Sequence, residues 1–126
     1  ESATSWTYSS SAWQQVNNNT ANEVEVVIGV VGPVVDLKHT YVGSMGDAAH
    51  TGFIGIGFDT VGNSGLASIV QGTSKEQMIA SDIRIPAVGR HTWTPVERVL
   101  TTTIMTITSD NTSSELWGIF GTVEDM

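Results

Sequence analysis

An all-β domain, an antiparallel β-sandwich or jelly roll of about eight short strands, is what this sequence predicts, and three observations carry the prediction. Apolar residues alternate with polar residues or glycine in short runs, the signature of a half-buried strand. Only 14% of residues are charged, while Ser, Thr, Asn and Gly are abundant, a balance that suits strands with neutral polar faces and glycine-rich turns. Turn signals separate the runs, and about eight strands spaced in this way fit a sandwich or jelly roll.

Residues 1–22 read as a partly ordered leading segment that packs on the domain or on a neighbouring subunit, and residues 23–126 as the jelly-roll domain. The stretch from Thr4 to Thr20 is rich in Ser, Thr and Asn but holds Trp6, Tyr8 and Trp13, aromatics able to pin it. The first strand candidate starts at Val24, with Val24, Val26, Ile28 and Val30 on one face and Glu23 and Glu25 on the other. From Val27 the second face also turns apolar, which calls for a covering layer on both sides: the opposite sheet and a neighbouring subunit. Val27 and Val31 are therefore expected at an oligomer interface.

A second strand is predicted from Val34 to Val42, between Gly32-Pro33 and a loop from Gly43 to Gly52. In the next, Ile54, Ile56 and Phe58 alternate with Gly55, Gly57 and Asp59, so one face is bulky and the other nearly bare. A bare glycine face permits close approach of another backbone or of a large ring. Further candidates are Leu66 to Gln71, Gln77 to Ile85, Thr92 to Leu100, Thr102 to Thr108 and Glu115 to Val123. Thr73-Ser74-Lys75-Glu76 has capping-box spacing, but too few periodic residues follow it, so it reads as a turn.

At 126 residues the chain suits one domain with its own core. It has no run near the roughly 20 apolar residues of a membrane helix and no signal-peptide organisation. Starting at Glu1 rather than methionine, it is expected to be a fragment or processed product with an upstream anchoring region. Having no cysteine, it must draw its stability from packing and association. A net charge of -8, with five scattered basic residues, argues against nucleic-acid binding.

Chemistry-bearing residues are dispersed. His39, His50 and His91 match no metal-ligand spacing, and structural or solvated roles are expected for them. Asp36, Asp47, Asp59 and Asp82 lack the alternation of a calcium loop, so turn and strand-end roles are expected rather than an ion site or a glycosidase pair. No Gly-x-Ser-x-Gly elbow is present, Asn63-Ser64-Gly65 is a turn signal, and Gly52, Gly55 and Gly57 lack dinucleotide-loop spacing. Two glycosylation sequons, at Asn18 and Asn111, match a short and common pattern and carry no weight. Tyr41, Trp93, Trp117 and the N-terminal aromatics offer rings for stacking on sugars, though core packing is the commoner role for such rings in a sandwich.

Four segments carry a resemblance: SWTYSSSAWQQVNNNTANEVEVVIGV (Ser5 to Val30), GFIGIGFDT (Gly52 to Thr60), GRHTWTPVE (Gly89 to Glu97) and SSELWGIFGTV (Ser113 to Val123). Together they span nearly the whole chain. They resemble, in the same order, a C-terminal jelly-roll module, C1q/TNF-like in kind, of tailed-bacteriophage virion structural proteins. Arg90 stands before His91 where that module has an aromatic.

The resemblance implies a non-enzymatic virion surface protein without a cofactor, a homotrimeric knob at a head-, collar- or tail-fibre tip that attaches to the host surface. The alternative it implies is a capsid decoration protein that stabilises the shell. Expected partners are other copies of the chain, other virion proteins and a host surface glycan, with no nucleic acid and no membrane insertion. Trp6, Tyr8, Asp47, His50, Asn63 and Asn111 are the expected binding residues, the last four from loops Gly43 to Gly52, Gly62 to Gly65 and Ser109 to Ser114 taken to gather at one end. Trp117 joins Val27 and Val31 at the expected oligomer interface.

Overall fold

The computed structural model describes residues 5–100, 103–108 and 118–124. Ten strands lie among them: β1 (Ser5–Tyr8), β2 (Gln14–Gln15), β3 (Val24–Ile28), β4 (Val34–Met45), β5 (Thr51–Phe58), β6 (Ser68–Gln71), β7 (Glu76–Arg84), β8 (Gly89–Val99), β9 (Met105–Thr108) and β10 (Gly118–Glu124). Every pairing is antiparallel, and the strands form two five-stranded sheets.

The first sheet is built around β4, with β7 on one side and β9 and β10 on the other, and with β1 outside β9. β9 pairs with the Val42–Met45 half of β4 and β10 with its Val34–Thr40 half, so the two lie end to end as one interrupted strand. The second sheet is built around β8, flanked by β5 and then β6 on one side and by β2 and β3 on the other. Pairings nest: β1 with β9, β2 and β3 with β8, β4 with β7, β5 with β6. A chain folded back on itself in this way and rolled into two facing sheets is a jelly roll.

The alternation read from the sequence is what closes the sandwich. On β4 the side chains of Val35, Leu37, His39, Tyr41 and Met45 all point inward and are buried. Facing them are Ile54 and Ile56 of β5, Trp93 and Val99 of β8 and Val70 of β6, while Met78, Met105 and Ile107 complete the core from the first sheet. Removing each large aliphatic from water contributes about 1.5–3 kcal/mol. Three buried hydrogen bonds cross between the sheets: His39 Nδ1 to the Gly55 carbonyl (2.9 Å), Trp93 Nε1 to Asp82 Oδ2 (2.7 Å) and Trp6 Nε1 to Glu97 Oε2 (2.9 Å). Buried donors and acceptors need such partners, and these bonds hold the sheets in one register.

The leading segment packs on the domain by entering both sheets: β1 is the edge of the first, β2 pairs with β8 in the second, and Trp6 and Val16 are buried. Several boundaries differ from expectation, and β8 starts at Gly89 rather than Thr92. β4 runs through Gly43 to Met45, because the inward alternation continues and the Met78 side chain occupies the space beside Gly43, leaving a loop of residues 46–50 only. β3 ends at Ile28, so Val30 leaves the buried face and is exposed. β6 begins at Ser68 rather than Leu66, whose backbone instead makes an isolated bridge to Ser81.

Candidate functional site

The expected binding residues do not form one site. Loop 46–50 precedes β5 and loop 59–65 follows it, so they lie at opposite ends of a strand of eight residues, about 25 Å at the rise of an extended chain. This corrects the expectation that the loops gather at one end; a glycine-rich loop on each side of a strand says nothing of its neighbour until the strand's direction is known. Asn111 and Trp117 lie outside the described residues.

Trp6, expected on the surface, is in the core: its ring meets the Tyr41 ring edge to face at 5.1 Å and its indole N–H donates to Glu97. Tyr8 is half-buried against the core, and its hydroxyl donates to the Ala12 carbonyl at 2.6 Å. Asn63 works within the fold: its Oδ1 accepts from the Ile56 N–H (3.0 Å) and its Nδ2 donates to the Gly65 carbonyl (2.8 Å). With Ser64, whose N–H donates to the Ile56 carbonyl and whose Oγ accepts from the Phe58 N–H, Asn63 replaces an edge strand along the second half of β5. The bare glycine face makes this possible: a Cβ on Gly57 would collide with the Thr60 and Gly62 carbonyls, and one on Gly55 with Asn63.

Asp47 and His50 do meet. Asp47 Oδ1 accepts from the His50 imidazole (2.5 Å) and the Ala49 N–H (2.9 Å), and Oδ2 from the Thr103 hydroxyl (3.2 Å). Hydrogen bonds from His50 and then Ala49 hold the Asp47 carboxyl below its ordinary range. At the other end Asp59 accepts from His91 Nδ1 (2.8 Å) and the Thr92 N–H (2.8 Å), while His91 Nε2 faces the Ala87 carbonyl at 2.9 Å. Both ring nitrogens thus face acceptors, which only the imidazolium satisfies; the hydrogen bond to Asp59, and then that to Ala87, raise the His91 pKa. His39 is the opposite case. Burial pushes its pKa down to about 4 against the weaker pull of its bond to Gly55, and its Nε2 has no hydrogen-bond partner. The three histidines therefore sit apart, and among the described residues no group of three or more His, Asp or Glu side chains is placed to hold a metal ion.

The most built surface feature lies near the end that carries loop 46–50. Where β5 starts and β8 finishes, Phe53 and Arg98 are directly paired across the second sheet. Trp13 joins them because the Val99 N–H donates to the Ser10 carbonyl, holding the chain before β2 against β8. The Arg98 guanidinium lies 5.0 Å from each ring centroid, and the rings meet edge to face at 6.4 Å. All three side chains are half-buried. Cation–π contacts of this kind contribute about 0.5–1 kcal/mol each. Trp13 was legible as an anchoring aromatic; Arg98 and Phe53 were not, since only their register brings positions 45 residues apart together.

Large aliphatics are also left in water. Val27 is 72% and Val31 81% exposed, and on β7 Ile79 and Ile83 face outward at 54% and 65%. Comparison with known families, curated proteins and solved structures finds no match to this chain at any of the three levels.

Proposed function

We propose that this chain is a non-enzymatic surface module of a tailed-bacteriophage virion, a homotrimeric jelly-roll knob at a fibre tip that attaches to the host surface. The observation that carries the reading is the pairing of a rigid jelly roll with uncovered aliphatics at Val27, Val31, Ile79 and Ile83. Val27 on β3 and Ile79 and Ile83 on β7 belong to different sheets, so apolar surface of this extent marks more than one face that is covered in the working assembly, and further copies of the chain supply the simplest cover. The four sequence segments that resemble phage modules supply the virion context.

Attachment then works by number. Three modest sites on one rigid knob raise each other's effective concentration, so the individual contacts need not be strong. The test is co-sedimentation of the labelled protein with host cells and, in parallel, with capsids stripped of it. Saturable binding to cells supports attachment. Binding confined to capsids would overturn it in favour of shell decoration.

A further inference from the structure

We propose that Trp13, Phe53 and Arg98 form a binding site for a saccharide carrying a single carboxylate. This deepens the host-attachment reading and takes its biological meaning from it. Of the three arginines, Arg84 pairs with Asp82 and Arg90 with Glu25, whereas Arg98 has no carboxylate partner among the described residues. The Arg98 Nε is buried without a hydrogen-bond partner, and we place the incoming group at the two terminal nitrogens.

The two rings contact the guanidinium at equal distance, which restrains a group that is otherwise free to swing. A fixed, planar pair of N–H donors matches the two oxygens of a carboxylate. The adjoining indole and phenyl surfaces suit the apolar face of a pyranose ring, since aromatic side chains combine a large contact area with little loss of freedom. Net charge decides how many carboxylates the ligand carries. With -8 on the protein, a polyanion is repelled over distances of about a Debye length, roughly 8–10 Å, while one carboxylate against one guanidinium is not outweighed.

The experiment follows the Trp13 indole N–H and the β5 and β8 amides by NMR during titration with methyl galacturonide and with sialyllactose. The neutral comparisons are the methyl ester of the first and lactose; glucose 1-phosphate serves as the phosphate comparison. We expect saturable shifts confined to this corner for at least one carboxylated sugar, about tenfold weaker binding of the neutral counterparts, and a similar loss in Arg98→Gln. Arg98→Lys should recover part of the affinity. The proposal is overturned if neither acidic sugar binds, if acid and ester bind alike, if the phosphate is preferred, or if Arg98→Gln binds as the unmutated protein does. The acid and ester comparison needs no variant, so a folding defect in Arg98→Gln leaves the test intact. Cell binding separates this idea from the attachment reading: an acidic sugar that binds the protein while cells do not overturns attachment alone, and cell binding indifferent to Arg98→Gln overturns this site alone.

Discussion

His39 shows how one buried side chain sets a pH window. Its ring lies between the sheets against the Tyr41 ring at 4.7 Å and the Gly55 carbonyl, with apolar Ala80 and Ile119 beside it in register. Its pKa falls from 6.5 to about 4 on folding. Between those values the unfolded chain binds the proton and the folded chain does not, so stability is complete above pH 6.5 and lost as pH falls toward 4. The loss amounts to about 3 kcal/mol at 1.36 kcal/mol per pKa unit. Urea titrations between pH 4 and 7 should show this slope, and His39→Phe should flatten it. Three other groups act elsewhere. Asp47 and Asp59, with lowered values, withdraw their stabilisation only below their ordinary 3.8, and His91, with a raised value, does so as pH rises above its ordinary 6.5.

Glu97 is the second telling residue. Fully buried, it accepts from Trp6 Nε1 (2.9 Å), Gln14 Nε2 (3.3 Å) and the Asn17 N–H (3.0 Å), tying the N-terminal segment to β8. Glu97→Ala would strand the buried Trp6 donor and unpair the half-buried Asn17 N–H, and at about 1–3 kcal/mol for each unsatisfied group we expect a loss of about 3 kcal/mol by urea denaturation. A loss below about 1 kcal/mol would contradict this account. Neither residue was legible in the sequence as anything more than a charge or a histidine inside a strand pattern. Alternation says that a side chain points inward, but not which partner waits across a sheet contributed by a distant part of the chain.

At the scale of elements, the β5 glycines were legible and their purpose was not. Gly55 and Gly57 marked a bare face open to a close approach, and the group that arrives is the chain's own loop 59–65 rather than a ligand or a second subunit. Gly57→Ala sets a methyl against the Thr60 and Gly62 carbonyls, which backbone has little freedom to relieve. We expect about 2 kcal/mol of destabilisation, whereas Gly29→Ala, with open space around it, should stay within about 0.5 kcal/mol. Equal melting temperatures for the two would show that loop 59–65 is not packed as described. The strand periods were otherwise readable because β-branched and aromatic residues announce themselves; ends were not, as at β4, where a glycine taken as a breaker lies inside the strand, two residues before its end.

For the whole molecule, the nested pairing of first with last strands explains why the sandwich class was legible while the site was not. Sheet class follows from local alternation and turn spacing, which every segment displays. The Trp13, Phe53 and Arg98 corner joins three separate stretches of chain and exists only once β5, β8 and the segment before β2 are aligned. The same reasoning applies to assembly: Val27 stood out because it broke the polar face of its strand, and it lies 72% exposed. Ile79 and Ile83 form a matching outward row on β7, in the other sheet.

The central claim, that these aliphatics are covered by further copies of the chain, is tested most directly by sedimentation velocity on the unmutated protein beside Val27→Asp. The account predicts a species of three times the 13.4 kDa chain mass for the unmutated protein, and a folded monomer for Val27→Asp with an unchanged far-ultraviolet spectrum. A 13.4 kDa species for the unmutated protein across the micromolar range would contradict it.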